Sequence, residues 1–305
     1  MACSSCGSAA AYFARYNGRH YCPGHFREFV EKRVKREIRE QKIFSGKATV
    51  CVAVSGGKDS MTALTLLKQF SEARRDTNLI AITVDEGISG YRSASLDVIE
   101  RYCRSLGIEW RCRSFLEQSG FTMDRLAAAK RKRTTCAYCG VFRRNLINSM
   151  AIEAGASRLA TGLNLDDTAQ SVMMNISRAD TSRMAMMGPH DTVIDGLVPR
   201  VQPLRQIPEN EVLLYAMMRC IPFLRSSCPY SEEASRNLFR DVVLRMEDEM
   251  PGTRYSILRS ANAFTASRKT GRARKCSVCG HVSSGSVCRT CLLGREIVSI
   301  LAPEK

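Results

Sequence analysis

Apolar positions along this chain switch between two periods. Residues 49–54, TVCVAV, are an almost unbroken β-branched run suited to a buried strand, and residues 61–67 resume at helical spacing after a Ser-Gly-Gly break. The alternation recurs downstream. Residues 78–84, 108–113 and Arg158–Thr161 read as strands, and 94–106, 141–154 and 168–176 as helices. Such alternation predicts right-handed βαβ units and a doubly wound parallel sheet, an α/β fold whose ligands gather at the carboxyl ends of the strands. Ser55, Asp85 and Gly162 stand at those ends. Before the sheet, residues 26–44 predict an amphipathic helix. Phe26, Val30, Val34 and Ile38 form its apolar stripe, with Lys32, Arg33, Lys35, Arg36, Arg39 and Lys42 on the other faces. Interleaved Glu28, Glu31, Glu37 and Glu40 make that polar side either salt-bridged surface or an RNA contact. After the sheet, residues 180–196 predict a loop, and 208–218 and 232–250 predict helices, the second stopping at Pro251-Gly252.

The first strand-to-helix turn carries the sharpest chemistry, Ser55-Gly56-Gly57-Lys58-Asp59-Ser60. Glycines let the backbone turn tightly and approach an anion, whose charge is met by amide donors and the positive end of the helix dipole. Lys58 adds a cation, and Ser55 and Ser60 add hydroxyls. This is not the Walker A spacing, because four residues do not separate the first glycine from Gly-Lys. It resembles the SGGKDS signature of PP-loop ATP pyrophosphatases, which grip the β- and γ-phosphates as a unit and release pyrophosphate; a ligand-free Gly-Gly turn before a helix is the plain alternative. Two other strand ends carry Asp85-Glu86-Gly87-Ile88 and Gly162-Leu163-Asn164-Leu165-Asp166-Asp167. Carboxylates beside a phosphate site suit Mg²⁺, and the same residues suit a helix N-terminus, two roles that are compatible. Ala53, Ser55 to Ser60, Val84, Gly162 and Asp167 form the expected nucleotide-binding set.

Composition narrows the partners. Forty-six Lys and Arg against 30 Asp and Glu give a net charge of +16 over 305 residues with a single Trp. For an ATP-using enzyme such an excess points to RNA, the alternative being a solubilising cationic surface. No apolar run reaches the roughly 20 residues that span a bilayer, and the first residues lack a signal peptide's apolar core. A cytoplasmic protein with no membrane partner is expected. Fourteen cysteines in a reducing compartment then point to metals or catalysis rather than disulfides.

Their spacing divides them. Cys3, Cys6, Cys22 and His25 suit a closed tetrahedral Zn²⁺ site, with His20 as a competing ligand. Cys276, Cys279, Cys288 and Cys291, with Gly280 and Gly285 between the pairs, suit a second, and His281 is a bystander. Basic residues Arg259, Arg268, Lys269, Arg272, Arg274 and Lys275 lead into it. Cys51, Cys103, Cys112 and Cys220 fall in predicted strands or helices and read as small buried hydrophobes. Cys136, Cys139 and Cys228 fall in predicted loops, the first two among Lys130, Arg131, Lys132, Arg133, Arg143 and Arg144. Three thiolates around an iron-sulfur cluster would leave one iron without a protein ligand. Persulfide chemistry resolved as a disulfide, or idle buried thiols, are the alternatives. The expected organisation is an N-terminal zinc finger (1–26), a linking basic helix (27–46), a PP-loop ATPase domain (47–270) and a C-terminal zinc ribbon (271–305).

Taken in order, the finger, the SGGKDS turn, Val84 to Ile88, Cys136-x2-Cys139, Asn164-Leu165-Asp166-Asp167, Cys228-Pro-Tyr-Ser and the ribbon resemble the tRNA 2-thiouridine synthetases. That group contains TtuA and the wobble-position thiolases of archaea and eukaryotes. The resemblance implies a 4Fe-4S cluster on Cys136, Cys139 and Cys228, ATP on the phosphate loop, and sulfur transfer to a tRNA uridine. It also implies a homodimer, with sulfur delivered as sulfide or by a ubiquitin-like carrier protein. Two positions depart from the family pattern: Leu163 stands where histidine is common, and Arg143 where the TtuA branch has a catalytic lysine. The run from Cys139 to Arg144 looks more like the wobble branch, favouring tRNA position 34 over 54. The implied chemistry is attack of the uridine C2 oxygen on the α-phosphate of ATP, then replacement of AMP by sulfur presented at the open iron. Lys58, Mg²⁺ and the loop amides would neutralise the phosphates, and Asp59 and Asp167 would orient Mg²⁺ or nucleotide. Arg143 would stabilise phosphate charge or the leaving AMP, since a guanidinium cannot serve as a base. Another AMP-forming PP-loop ligase or amidase, or a zinc-ribbon RNA-binding scaffold, are the competing functions.

Overall fold

In the computed structural model, which describes residues 1–190, 194–233, 236–266 and 274–302, a hairpin of β1 (Tyr12–Ala14) and β2 (Arg19–Tyr21) feeds α1 (Pro23–Glu40). Pro23 opens that helix where a missing N–H costs nothing. Phe26, Val30, Val34 and Ile38 are buried as predicted. Arg33 is the correction on this helix: it is buried, pairing with Glu211 and lying over the Phe29 ring.

The expected sheet follows: β3 (Ala48–Ala53), α2 (Lys58–Ser71), β4 (Thr77–Asp85), α3 (Arg92–Ser105), β5 (Glu109–Ser114), α4 (Phe115–Ser119), α5 (Met123–Ala128), α6 (Thr135–Glu153), β6 (Arg158–Thr161), α7 (Leu165–Ser177), α8 (Thr181–Ala185), β7 (Arg200–Val201) and α9 (Glu209–Met218). The strands are parallel in the order β5-β4-β3-β6-β7. The chain winds one way from β3 and the other way from β6, so the crevice between these two strand ends is the topological switch point, where α/β ligands bind. Strand side chains alternate between two cores. Val50 and Val52 pack with Phe26, Leu64, Leu67 and Tyr215 on one face, while Cys51 packs with Tyr138, Phe142 and Leu146 on the other. Helices α10 (Arg236–Glu249) and α11 (Thr253–Ala266) lie against α7. A small hairpin of β8 (Arg274–Lys275) and β9 (Val282–Ser283) leads to α12 (Arg289–Leu301), whose Leu293 and Ile297 join the second core.

Several readings need correction. Cys136 and Cys139 sit in the first two turns of α6 rather than in a loop. The segment read as a loop from 180 to 196 contains α8, opened by the Asp180 side chain accepting from the Arg183 amide; residues 191–193 lie outside the described set. A short 3-10 turn at Ser231–Glu233 precedes α10, which therefore starts later than predicted, and Pro251-Gly252 separates α10 from the unforeseen α11 rather than ending the helical region. Cys112 and Cys220 are exposed, because β5 is an edge strand and Cys220 follows α9 at a backbone φ of 48°. The predicted basic residues Arg268, Lys269 and Arg272 lie outside the described residues. Among the described residues no helix is long and apolar enough to cross a membrane.

Candidate active site

The phosphate loop is shaped by close approach. Ser60 Oγ accepts from the Ser55 amide at 3.1 Å and donates to the Gly57 carbonyl at 3.0 Å, folding the loop onto the start of α2. Gly56 has a φ of 82°, and a Cβ on it would come within 2.9 Å of Ser95 Cβ. A Cβ on Gly162 would lie 2.7 Å from the Ser60 backbone, so glycine lets the end of β6 press against this turn. No side chain caps α2, whose first amides remain available to an anion.

A cavity of about 280 Å³ opens at the switch point. Ala53, Ser55, Gly57, Ser60, Val84 and Gly162 line it. One side is acidic, with Asp59 and Asp167. Asn164 caps α7 by accepting from the Asp167 amide, and donates from Nδ2 to Asp59 Oδ1 at 3.1 Å, tying the two carboxylates together. Burial pushes Asp167 up to about 6, with Asp59 adding to the effect and Arg236, 3.3 Å away, opposing it. Asp59 is also raised by burial, against the pull of Lys58. The lining also carries cations: Arg92 and Arg143 converge on the buried Glu86, and Arg143 Nη1 lies 3.5 Å from Glu86 Oε1.

Arg143 is one helical turn after Cys139, and none of Cys136, Cys139 and Cys228 lines the cavity. Cys136 Sγ donates to the Tyr230 carbonyl at 3.3 Å, joining α6 to the loop that carries Cys228. Burial raises Cys136, and negative charge on Cys228 would raise it further. Cys139 is pushed up to about 12 by burial, with Arg143 opposing and the other two thiols adding to the rise. Elsewhere, Cys3, Cys6, Cys22 and His25, and separately Cys276, Cys279, Cys288 and Cys291, bring their donor atoms within 4.8 Å of one another.

A family model described as a PP-loop domain matches residues 27–247. The tRNA 2-thiolation protein NcsA of Haloferax volcanii is 36% identical over 98% of this chain and 100% of its own length. The chain belongs to the PP-loop tRNA 2-thiolation family. The tRNA-5-methyluridine(54) 2-sulfurtransferase of Pyrococcus horikoshii is 30% identical over 95% of this chain and 93% of that protein. The solved U34-tRNA thiolase NcsA from Methanococcus maripaludis, with its 4Fe-4S cluster, superimposes with a TM-score of 0.86 at 33% identity, covering 97% of this chain and 96% of the other.

For a PP-loop tRNA 2-thiolation protein the donor sets fit the groups. Each four-donor set has the closed arrangement of a structural zinc site. Cys136, Cys139 and Cys228 stand outside both four-donor sets, with charge on one acting on the others, and their thiolate chemistry suits a cluster. Thr161 Oγ1, on the cavity wall, is buried without a hydrogen-bond partner among the described residues, as expected of a ligand contact. Some expected contacts are turned elsewhere. Lys58 Nζ donates to Asp59 at 2.9 Å and to Glu209 at 2.8 Å, and neither Lys58 nor Gly56 lines the cavity. Asp85 accepts from the Gly87 amide, and Asp166 pairs with Arg254 at 2.8 Å. Glu86 is neutralised by two arginines rather than joining Asp85 as a metal ligand. His281 holds Ser149 at 3.0 Å and stands outside the second zinc set. Sequence reasoning missed Arg92, Thr161, Glu209 and Arg236. Only Glu209 carried a signal, as an acid in the first turn of α9.

Proposed function

We propose that this protein thiolates C2 of a tRNA uridine, at wobble position 34, with ATP as the activating substrate. The observation that carries the reading is the place of Arg143, which lines the phosphate-loop cavity and stands one helical turn from Cys139. Loop amides and the Ser55 and Ser60 hydroxyls bind the β- and γ-phosphates, with Lys58 drawn to them from its present acidic partners. Asp59 and Asp167 would hold Mg²⁺ or orient the nucleotide, with Ala53, Val84 and Gly162 shaping its seat. Arg143 neutralises charge at the α-phosphate as the C2 oxygen attacks, and then on departing AMP. Burial works against its charge, but Cys139 and Glu86 favour it more, so it stays cationic throughout. Cys136, Cys139 and Cys228 would hold a 4Fe-4S cluster, which when bound supplies the place where sulfur is presented.

Cys3, Cys6, Cys22 and His25 hold one structural zinc, and Cys276, Cys279, Cys288 and Cys291 the other, within the division 1–26, 27–46, 47–270 and 271–305. The +16 charge supports a tRNA partner. The protein works in the cytoplasm as a homodimer, taking sulfur from sulfide or a ubiquitin-like carrier. Position 34 is supported by the likeness to the solved U34 thiolase. The test incubates anaerobically prepared protein with tRNA transcript, ATP and sulfide, and maps thiolated nucleosides by mass spectrometry. Expected is 2-thiouridine at position 34, with one AMP and one pyrophosphate per base. Thiolation at 54 alone overturns the position, and AMP release without thiolation overturns the reaction in favour of another PP-loop ligase.

A further inference from the structure

We infer that Glu86 is a positioning residue that, through Arg92 and Arg143, fixes the phosphate loop and the cysteine-bearing helix relative to each other. The inference rests on the proposed thiolation and deepens it. Glu86 is 1% exposed and Arg92 4% exposed, and both line the cavity with Arg143. One Glu86 oxygen takes Arg92 and the other takes Arg143. Arg92 Nη1 reaches back to the Ser55 carbonyl at 3.2 Å and to Ser95 Oγ at 3.3 Å, and Ser95 is the residue that leaves Gly56 no room for a Cβ. The backbone of Glu86 is itself pinned, its carbonyl accepting from the Met123 amide at 2.8 Å. A continuous chain of contacts thus runs from the loop through one carboxylate to a side chain on α6.

Two features set this chain apart from an ordinary internal brace. Burying a carboxylate with two guanidinium groups is a poor source of stability, since the desolvation of each ion offsets their attraction. The network is also incomplete, because Arg92 Nε is buried with no hydrogen-bond partner among the described residues. Arg143 keeps a side chain 47% exposed, held at Nη1 by Glu86, with other N–H groups left for a phosphate. Glu86 therefore aims Arg143, its own two oxygens being taken up by the arginines.

The experiment is a double-mutant cycle on the holoenzyme, with Glu86→Gln placed in the wild-type and Arg143→Ala backgrounds. Cluster absorbance and melting temperature are recorded beside kcat and KM for ATP. In the wild-type background the expected loss in kcat is about tenfold or more, with KM within about threefold and the cluster spectrum unchanged. In the Arg143→Ala background the same change is expected to cost at least about threefold less than in wild type, the remainder being what Glu86 does through Arg92. Equal losses in both backgrounds, or a lowered melting temperature with kcat intact, overturn the inference. Should Glu86→Gln yield no folded protein, Glu86→Asp, which keeps the charge but is too short to meet both arginines, enters the same cycle. Wild-type product analysis keeps the two readings separate: if wild type forms AMP without thiouridine, thiolation fails, and the cycle is still read on AMP formation.

Discussion

At the scale of single residues, the site is governed by the cost of keeping charge out of water. Asp167 shows this most clearly, since burial outweighs its Arg236 partner and moves it from 3.8 to about 6. A carboxyl raised on folding favours the protonated native state, so its ionisation costs stability above about pH 6, and the cost fades as pH falls toward 3.8. Asp167→Asn, in protein without added Mg²⁺, is therefore expected to raise the melting temperature at pH 7.5 by calorimetry, with an advantage that shrinks below pH 6. A lowered melting temperature at pH 7.5 would show that the Arg236 and Asn164 contacts outweigh burial. The sequence made Asp167 legible through its place after a strand, whereas its environment depended on Asp59 and Arg236 arriving from elsewhere.

Among the secondary-structure elements, the start of α6 explains why the cysteine trio was misread. The run Lys130-Arg131-Lys132-Arg133 looks like solvated loop, and no side chain of the adjoining residues caps the helix. Its cap is remote: Glu233 accepts from the Thr135 amide at 2.8 Å and from its hydroxyl at 3.2 Å, and also pairs with Arg131. Glu233 lies five residues after Cys228, so the contact that starts the helix also draws the third thiol toward the first two. Alanine at Cys136, Cys139 or Cys228 is expected to abolish the brown cluster absorbance and thiolation while leaving tRNA affinity within about threefold, read by spectroscopy and filter binding. Full activity in the triple variant would remove these cysteines from the mechanism.

Over the whole molecule, the 46 Lys and Arg side chains are less available than their number suggests. Lys32, Arg36, Lys68 and Arg104 each face a glutamate four residues away, and Arg131 and Arg133 are paired with Glu233 and Glu296. Enough excess remains to hold a tRNA backbone through several phosphates. Affinity for tRNA is expected to fall linearly on a log–log plot against salt, with a slope of about −4 or steeper, measured by filter binding from low to physiological salt. A flat dependence would mean that the basic surface serves solubility. The sequence by itself determined the strand and helix alternation, the phosphate loop and both zinc-type sets, because each is written in neighbouring residues by periodicity or ligand spacing. Tertiary structure alone decided that Arg33 meets Glu211, 178 positions away, that Glu233 caps a helix 98 positions before it, and that Glu86 joins Arg92 to Arg143. These pairings follow from which helices, turns and strand ends the packed fold sets side by side, and burial then makes each unmatched charge costly enough to find its partner.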